Sequence, residues 1–188
     1  MTSFTLKPVG WRPRLTPIRA ETATPAELAA LEACPPAQRA GAYARTLAHD
    51  PGSLGERGAL FSIVMYAKGG LPTADREYAT AVVSMVNGCV YCTSVHARRF
   101  VDATGKPEAM QAVFDGGFVA ETDPRRAAIS AFTEAMTRDP QAMTAADLAP
   151  LRAAGLDDLE MLDLIHSIAM FANANRLMLS LGDPLVPK

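Results

Sequence analysis

Cysteine and histidine are scarce in this chain, three of each among 188 residues, and aromatic side chains make up only 6%. Three cysteines, two of them in a C-x-x-C pair and the third at Cys34, do not form the framework of a secreted, disulfide-stapled domain. Excess charge is lacking too: 18 Lys and Arg against 20 Asp and Glu give a net charge of −2, with the signs interspersed. No basic field exists to neutralise phosphates, so nucleic acid is not an expected partner. Long apolar runs are missing, since the longest, Leu60 to Ala67, is far too short to span a bilayer. The first residues carry no apolar stretch of the secretory type, so the expected location is cytoplasmic, with no membrane partner. Finally, strand signals are few, because alanine is abundant and β-branched residues rarely alternate with polar ones.

What is present is helical patterning and a hydrophobic share of 49%, ample for a core. We expect one all-α domain over 1–188, with an extended arm (1–24), a helical body (25–182) and a short tail (183–188). Pro8, Pro13 and Pro17, with Trp11 among them, suit an extended arm that lies on something. Thr24-Pro25-Ala26-Glu27 is a capping box with proline at the first helical position, and Pro35-Pro36 ends the helix it opens. Helices are expected over 37–49 and 54–68, the latter closing on Gly69-Gly70. Thr73 is the expected cap of a helix that stops at Asn87-Gly88, and the next starts at or near Cys89. Further helices are expected at 107–115, 124–138, 144–153 and 157–181. No internal repeat or low-complexity tract interrupts this series.

The chemistry-bearing segment is 76–100, where Glu77, Cys89, Cys92 and His96 share an otherwise mostly apolar stretch. If Cys89 opens a helix, Cys92 and His96 follow at three and seven residues and project from roughly one face. Thiols in a first helical turn feel unpaired backbone N–H groups and the positive end of the helix dipole, which favour thiolate. His96 can take a thiol proton near neutrality. Glu77 continues along its helix into the small residues Thr80, Ala81 and Ser84, and a carboxylate buried there needs a partner and suits proton relay. At about 1.5 Å of rise per residue, Glu77 lies roughly 16 Å from Gly88 and His96 only about 10 Å from Cys89. Contact between them requires a steep crossing, a reach through the intervening thiol or a bridging water, of which the water is expected.

The spacing E-x11-C-x2-C-x3-H, with "RE" before an apolar helix and "NGCVYC" after it, resembles the AhpD-like alkylhydroperoxidase group of the carboxymuconolactone decarboxylase superfamily. The proline-bearing arm and the closing "FANANRLMLSLGDP" helix resemble its peroxidase-related branch. The resemblance implies an AhpD-like helical bundle built around the hairpin that carries the motif, and a homo-oligomer (dimer, trimer or hexamer). It also implies thiol-dependent reduction of a small-molecule peroxide without cofactor or metal. Cys92 would attack, Cys89 would resolve the sulfenic acid to a disulfide, and His96 and Glu77 would relay protons. A lipoylated or thioredoxin-like thiol protein would restore the dithiol.

Dipole reasoning alone favours Cys89 as the attacking sulfur, whereas the resemblance favours Cys92, one turn before the base His96. Tyr91 stands where relatives can carry a second relay histidine, and tyrosine is a poor base near neutrality. Three other functions use parts of the same pattern: a carboxymuconolactone decarboxylase-type lactone enzyme, a protein disulfide reductase, and a non-enzymatic redox-sensing oligomer. Zinc would need a fourth ligand beyond C-x-x-C-x-x-x-H. Packing roles are expected for the other conspicuous residues. His166 reads as a hydrogen-bonded core histidine that could wall the site, His49 as a loop or helix-end residue, Cys34 as inert, and Met161, Met170 and Met178 as filler. Glu77 could otherwise pair with Arg98. Wide apolar helix faces point to association.

Overall fold

The computed structural model describes residues 4–187, with Ala37 described by its backbone alone. Helix α1 (Pro25–Ala33) opens with the Thr24/Glu27 capping box and ends before Pro35. The helix expected over 37–49 is broken into α2 (Pro36–Arg39) and α3 (Ala42–Leu47). Gly41 causes the break: it adopts an extended conformation and serves as the N-cap of α3, so the ladder cannot continue through it. Helix α4 (Pro51–Tyr66) starts from an Asp50 side chain that accepts the Ser53 N–H, with Pro51 in the first turn.

Helix α5 (Thr73–Val86) is the axis of the body. Pro72, not Thr73, occupies its cap; fixed in an extended conformation, it starts the helix without a side-chain acceptor. Residues Arg76 to Ser84 are all buried, because α5 meets α4, α6 (Val90–Thr104), α8 (Pro124–Arg138) and α10 (Asp158–Leu181). Between α6 and α8 runs α7 (Pro107–Gly116). The segment expected as one helix over 144–153 divides into a 3-10 turn (Ala145–Leu148) and α9 (Ala149–Ala153), with Pro150 at the start of the α-helical part. Its capping box, Thr144 with Asp147, is present. Among the described residues no helix is long and apolar enough to cross a membrane.

The arm is where the helical reading falls short. Gly10–Pro13 forms strand β1, paired antiparallel with β2 (Gly182–Leu185), Trp11 opposite Pro184. Four residues containing a proline carry no strand period, and the pairing spans almost the whole chain, so local sequence gives no sign of it. The ribbon ties down both ends of the body. Arg14 donates to the carbonyls of Leu179 and Ser180 and to Asp183, capping the end of α10. His49, exposed after α3, holds the arm through Nε2 to the Thr16 carbonyl at 2.9 Å. Gly182 is required by close approach, since a Cβ there would fall 2.3 Å from the Trp11 indole.

Candidate active site

Asn87 ends α5 and Gly88 turns the chain with φ of +74°, a left-handed conformation that suits glycine. Cys89 then caps α6, its N–H returning to the Ser84 carbonyl at 2.8 Å, and Thr93 bonds the Cys89 carbonyl at 2.9 Å. This tight junction sets both sulfurs at the start of α6. Their Sγ atoms are 2.9 Å apart and hydrogen-bonded, and both cysteines are free thiols and buried.

The two sulfurs differ in what they face. Cys92 and His96 line a cavity of about 320 Å³, together with Trp11, Tyr43, Arg57, Phe61, Tyr91, Arg99 and Phe171; Cys89 does not reach it. Charge distributes the other way. The Cys89 thiol is lowered, first by its hydrogen bond with Cys92 and then by the backbone N–H groups of Cys92 and Tyr91, while the Cys92 thiol is raised by that same bond and by burial. The helix start thus favours the charged form at Cys89, while burial disfavours it at Cys92, the sulfur open to the cavity.

His96 lies beside them with its Nδ1 2.5 Å from Glu77 Oε2. The expectation of a bridging water is corrected, because carboxylate and imidazole meet directly. The axial offset of roughly 6 Å between the two Cα positions lies within the reach of two long side chains. Arg99, rather than Arg98, is the cation near Glu77, at 3.8 Å from Oε1. Burial lowers the His96 pKa more than Glu77 raises it, so the imidazole is neutral at pH 7. A neutral ring that donates Nδ1–H to Glu77 leaves Nε2 as the acceptor, which is the form a general base requires. Phe171 packs edge-on against the ring at 4.3 Å and fixes its plane.

Asn175, fully buried on α10, went unrecognised in the sequence. Its Nδ2 donates to Ser84 Oγ, its Oδ1 accepts from Asn87, and its amide favours the charged form of both thiols. The available signal was an asparagine in an apolar helix, "FANANRL", where an unpartnered amide is costly. Trp11, Tyr43, Arg57 and Arg99 were also missed as cavity residues, because separate elements bring them together. His166 is corrected: it is exposed and belongs to a groove lined by Leu60, Val64 and Met170, away from the thiols. An α10 face that looks outward there needs no buried partner. Cys34 is buried, its thiol pushed up by burial, and bonds only the Ala30 carbonyl.

A family model described as the Carboxymuconolactone decarboxylase family matches residues 57–135, which hold α5, α6 and all four motif residues. The solved alkylhydroperoxidase AhpD core, a peroxidase-related protein from Ralstonia eutropha JMP134, is 27% identical, over 73% of each chain, with a TM-score of 0.68. A peroxidase-related protein from Silicibacter sp. TM1040 is 26% identical over 73% of this chain and 72% of that one, with a TM-score of 0.67. The family match and these two structures support a place in the AhpD/carboxymuconolactone decarboxylase superfamily. Its mostly helical architecture is AhpD-like. The debrominase Bmp8, 18% identical over 90% of each chain with a TM-score of 0.73, shares the fold. Curated proteins gave no significant match. Among the described residues no group of three or more His, Cys, Asp or Glu is arranged to hold a metal.

Proposed function

We propose that the protein is a cysteine-based peroxidase that reduces hydrogen or organic hydroperoxides through a Cys89/Cys92 dithiol-disulfide cycle. The observation that carries this reading is the division of labour at the sulfurs: Cys92 opens on a cavity beside a neutral histidine, with Cys89 2.9 Å behind it. His96 Nε2 takes the Cys92 proton, and Glu77 steadies the resulting imidazolium through Nδ1. The Cys92 sulfur attacks the distal peroxide oxygen, the O–O bond breaks, and His96 returns the proton to the leaving alkoxide. Sulfenic acid forms on Cys92 and an alcohol leaves. Cys89 then displaces water from that sulfur, forming the disulfide. Two thiols are oxidised for each peroxide reduced.

Burial of both sulfurs speaks against a protein disulfide as substrate, since a folded partner cannot bring its own disulfide to them. A reductant thiol on a long flexible arm, of the lipoylated kind, suits the narrow approach better than the flat face of a thioredoxin-like protein. We also propose a homo-oligomer. Leu60 and Ile63 on α4 and Leu159 and Leu162 on α10 are exposed large apolar residues, the kind of surface that a second copy covers. The function is tested by mixing the reduced protein with cumene hydroperoxide. It should lose two thiols per chain and gain an intramolecular Cys89–Cys92 disulfide, while Cys92→Ser should show no peroxide-dependent oxidation of Cys89. Retention of both thiols in the folded wild-type protein would refute the reading.

A further inference from the structure

The cavity beside Cys92 has a chemical character that the peroxide bond alone does not call for. Its volume of about 320 Å³ lies at the small end of the roughly 300–1,000 Å³ typical of small-molecule sites. Trp11, Phe61, Val95, Phe171 and Met178 give it apolar walls. No aspartate or glutamate lines it, yet two arginines do. Arg99 is partly neutralised by Glu77 at 3.8 Å and bonds the Tyr66 hydroxyl at 3.0 Å. Arg57 differs. No carboxylate pairs with it among the described residues, and its buried Nε has no hydrogen-bond partner. The guanidinium is held in place over the rings of Tyr43, at 5.5 Å, and Phe61, at 5.6 Å.

Tyr43 makes the arrangement directional. Its hydroxyl is buried, without a partner, in the wall of the same cavity. Burial pushes its pKa up to about 12, so it keeps its proton and can only donate to an anion. A buried donor left unpaired costs stability, and so does a cation on an apolar wall. Both are relieved together by one acceptor that carries negative charge and brings an apolar body with it.

We propose that Arg57, supported by the Tyr43 hydroxyl, anchors the carboxylate of the substrate, and that the substrate is a compact apolar hydroperoxide bearing such a group. The inference rests on the peroxidase reading for the reacting end and adds the recognition of the far end. The carboxylate lies in the Arg57 fork, the ring or short chain lies between the aromatic walls, and the hydroperoxide faces Cys92. Specificity then comes from a charge-assisted pair in a water-poor site.

The experiment compares cumene hydroperoxide with its 4-carboxylate derivative, measured as the second-order rate of thiol oxidation. The wild type should prefer the carboxylate by about 10-fold to 100-fold, as for a hydrogen bond to a charged group. In Arg57→Met the ratio should collapse towards one, and Arg57→Lys should keep part of it. Equal rates for the two substrates in the wild type would overturn the proposal. So would an unchanged ratio in an Arg57→Met protein that melts normally. A second arm is independent of the chemistry. Trp11, the single tryptophan of the chain, lines the cavity, so its fluorescence reports occupancy by 4-isopropylbenzoate, which has no peroxide bond. Saturable quenching that is weakened in Arg57→Met supports the anchor even if neither hydroperoxide is reduced. Quenching no stronger than by isopropylbenzene, or insensitive to Arg57→Met, refutes the anchor while leaving the peroxidase reading to its own test.

Discussion

Arg76 and Glu77 are neighbours on α5, both buried, and their opposite uses show how one helix can serve structure and chemistry at once. Arg76 donates to the carbonyls of Ala67 and Gly69 and pairs with Asp163 at 2.7 Å, locking the Gly69-Gly70 loop against α10. Glu77, one residue on and so on another side of the helix, meets His96 at 2.5 Å beside a cavity. A guanidinium and an aspartate hold their charges across neutral pH, whereas an imidazole changes its own. The first pair is therefore a fastening, and the second can move a proton.

The largest way to break the comparison is on the structural side. Asp163→Ala leaves the Arg76 guanidinium buried without its counter-charge and should cost about 3 kcal/mol or more of stability, read from urea unfolding. The remaining folded protein should still oxidise its thiols at the wild-type rate. Glu77→Gln should do the reverse. Thiol oxidation by cumene hydroperoxide should slow by about 10-fold to 100-fold with little change in the urea midpoint, because an amide can still occupy the space. If Glu77→Gln unfolds the protein as severely as Asp163→Ala, the two pairs are the same kind of device.

A smaller effect sharpens the same contrast through pH. The native His96 pKa lies below its ordinary value of about 6.5, so just below that pH the unfolded chain binds a proton that the native state does not. The His96 contribution is thus fully present above about pH 6.5 and is lost as pH falls towards the native pKa, by at most about 1.4 kcal/mol per pH unit. In Glu77→Gln the native pKa falls further, since the carboxylate was raising it, and the window extends to lower pH. Urea midpoints between pH 7.5 and 5.5 measure this, and a flat profile in both proteins would contradict the assignment.

The body of the fold was legible because its signals are local. Asp123-Pro124 opens α8 and Thr24/Glu27 boxes α1 as the residue chemistry dictates. The β1–β2 ribbon was not, since Gly10 and Leu185 meet only after the body has folded. At the candidate site, the four motif residues were readable from spacing, and their conjunction follows from the short turn at Gly88. Direct contact between Glu77 and His96 was missed because rise along a helix omits side-chain reach. Arg57 and Tyr43 come from α4 and α3, and nothing in either segment announces that they share a wall with Cys92. Asn175 is the intermediate case, visible as an odd residue but not as a partner of two sulfurs.

The central claim concerns which sulfur meets the peroxide, and trapping the sulfenic acid with dimedone tests it most directly. In Cys89→Ser, a stoichiometric peroxide pulse should leave the adduct on Cys92, formed at close to the wild-type rate of thiol loss. In Cys92→Ser, Cys89 should stay unlabelled despite its lowered pKa, because it does not reach the cavity. Labelling of Cys89 as fast as of Cys92 would contradict the account.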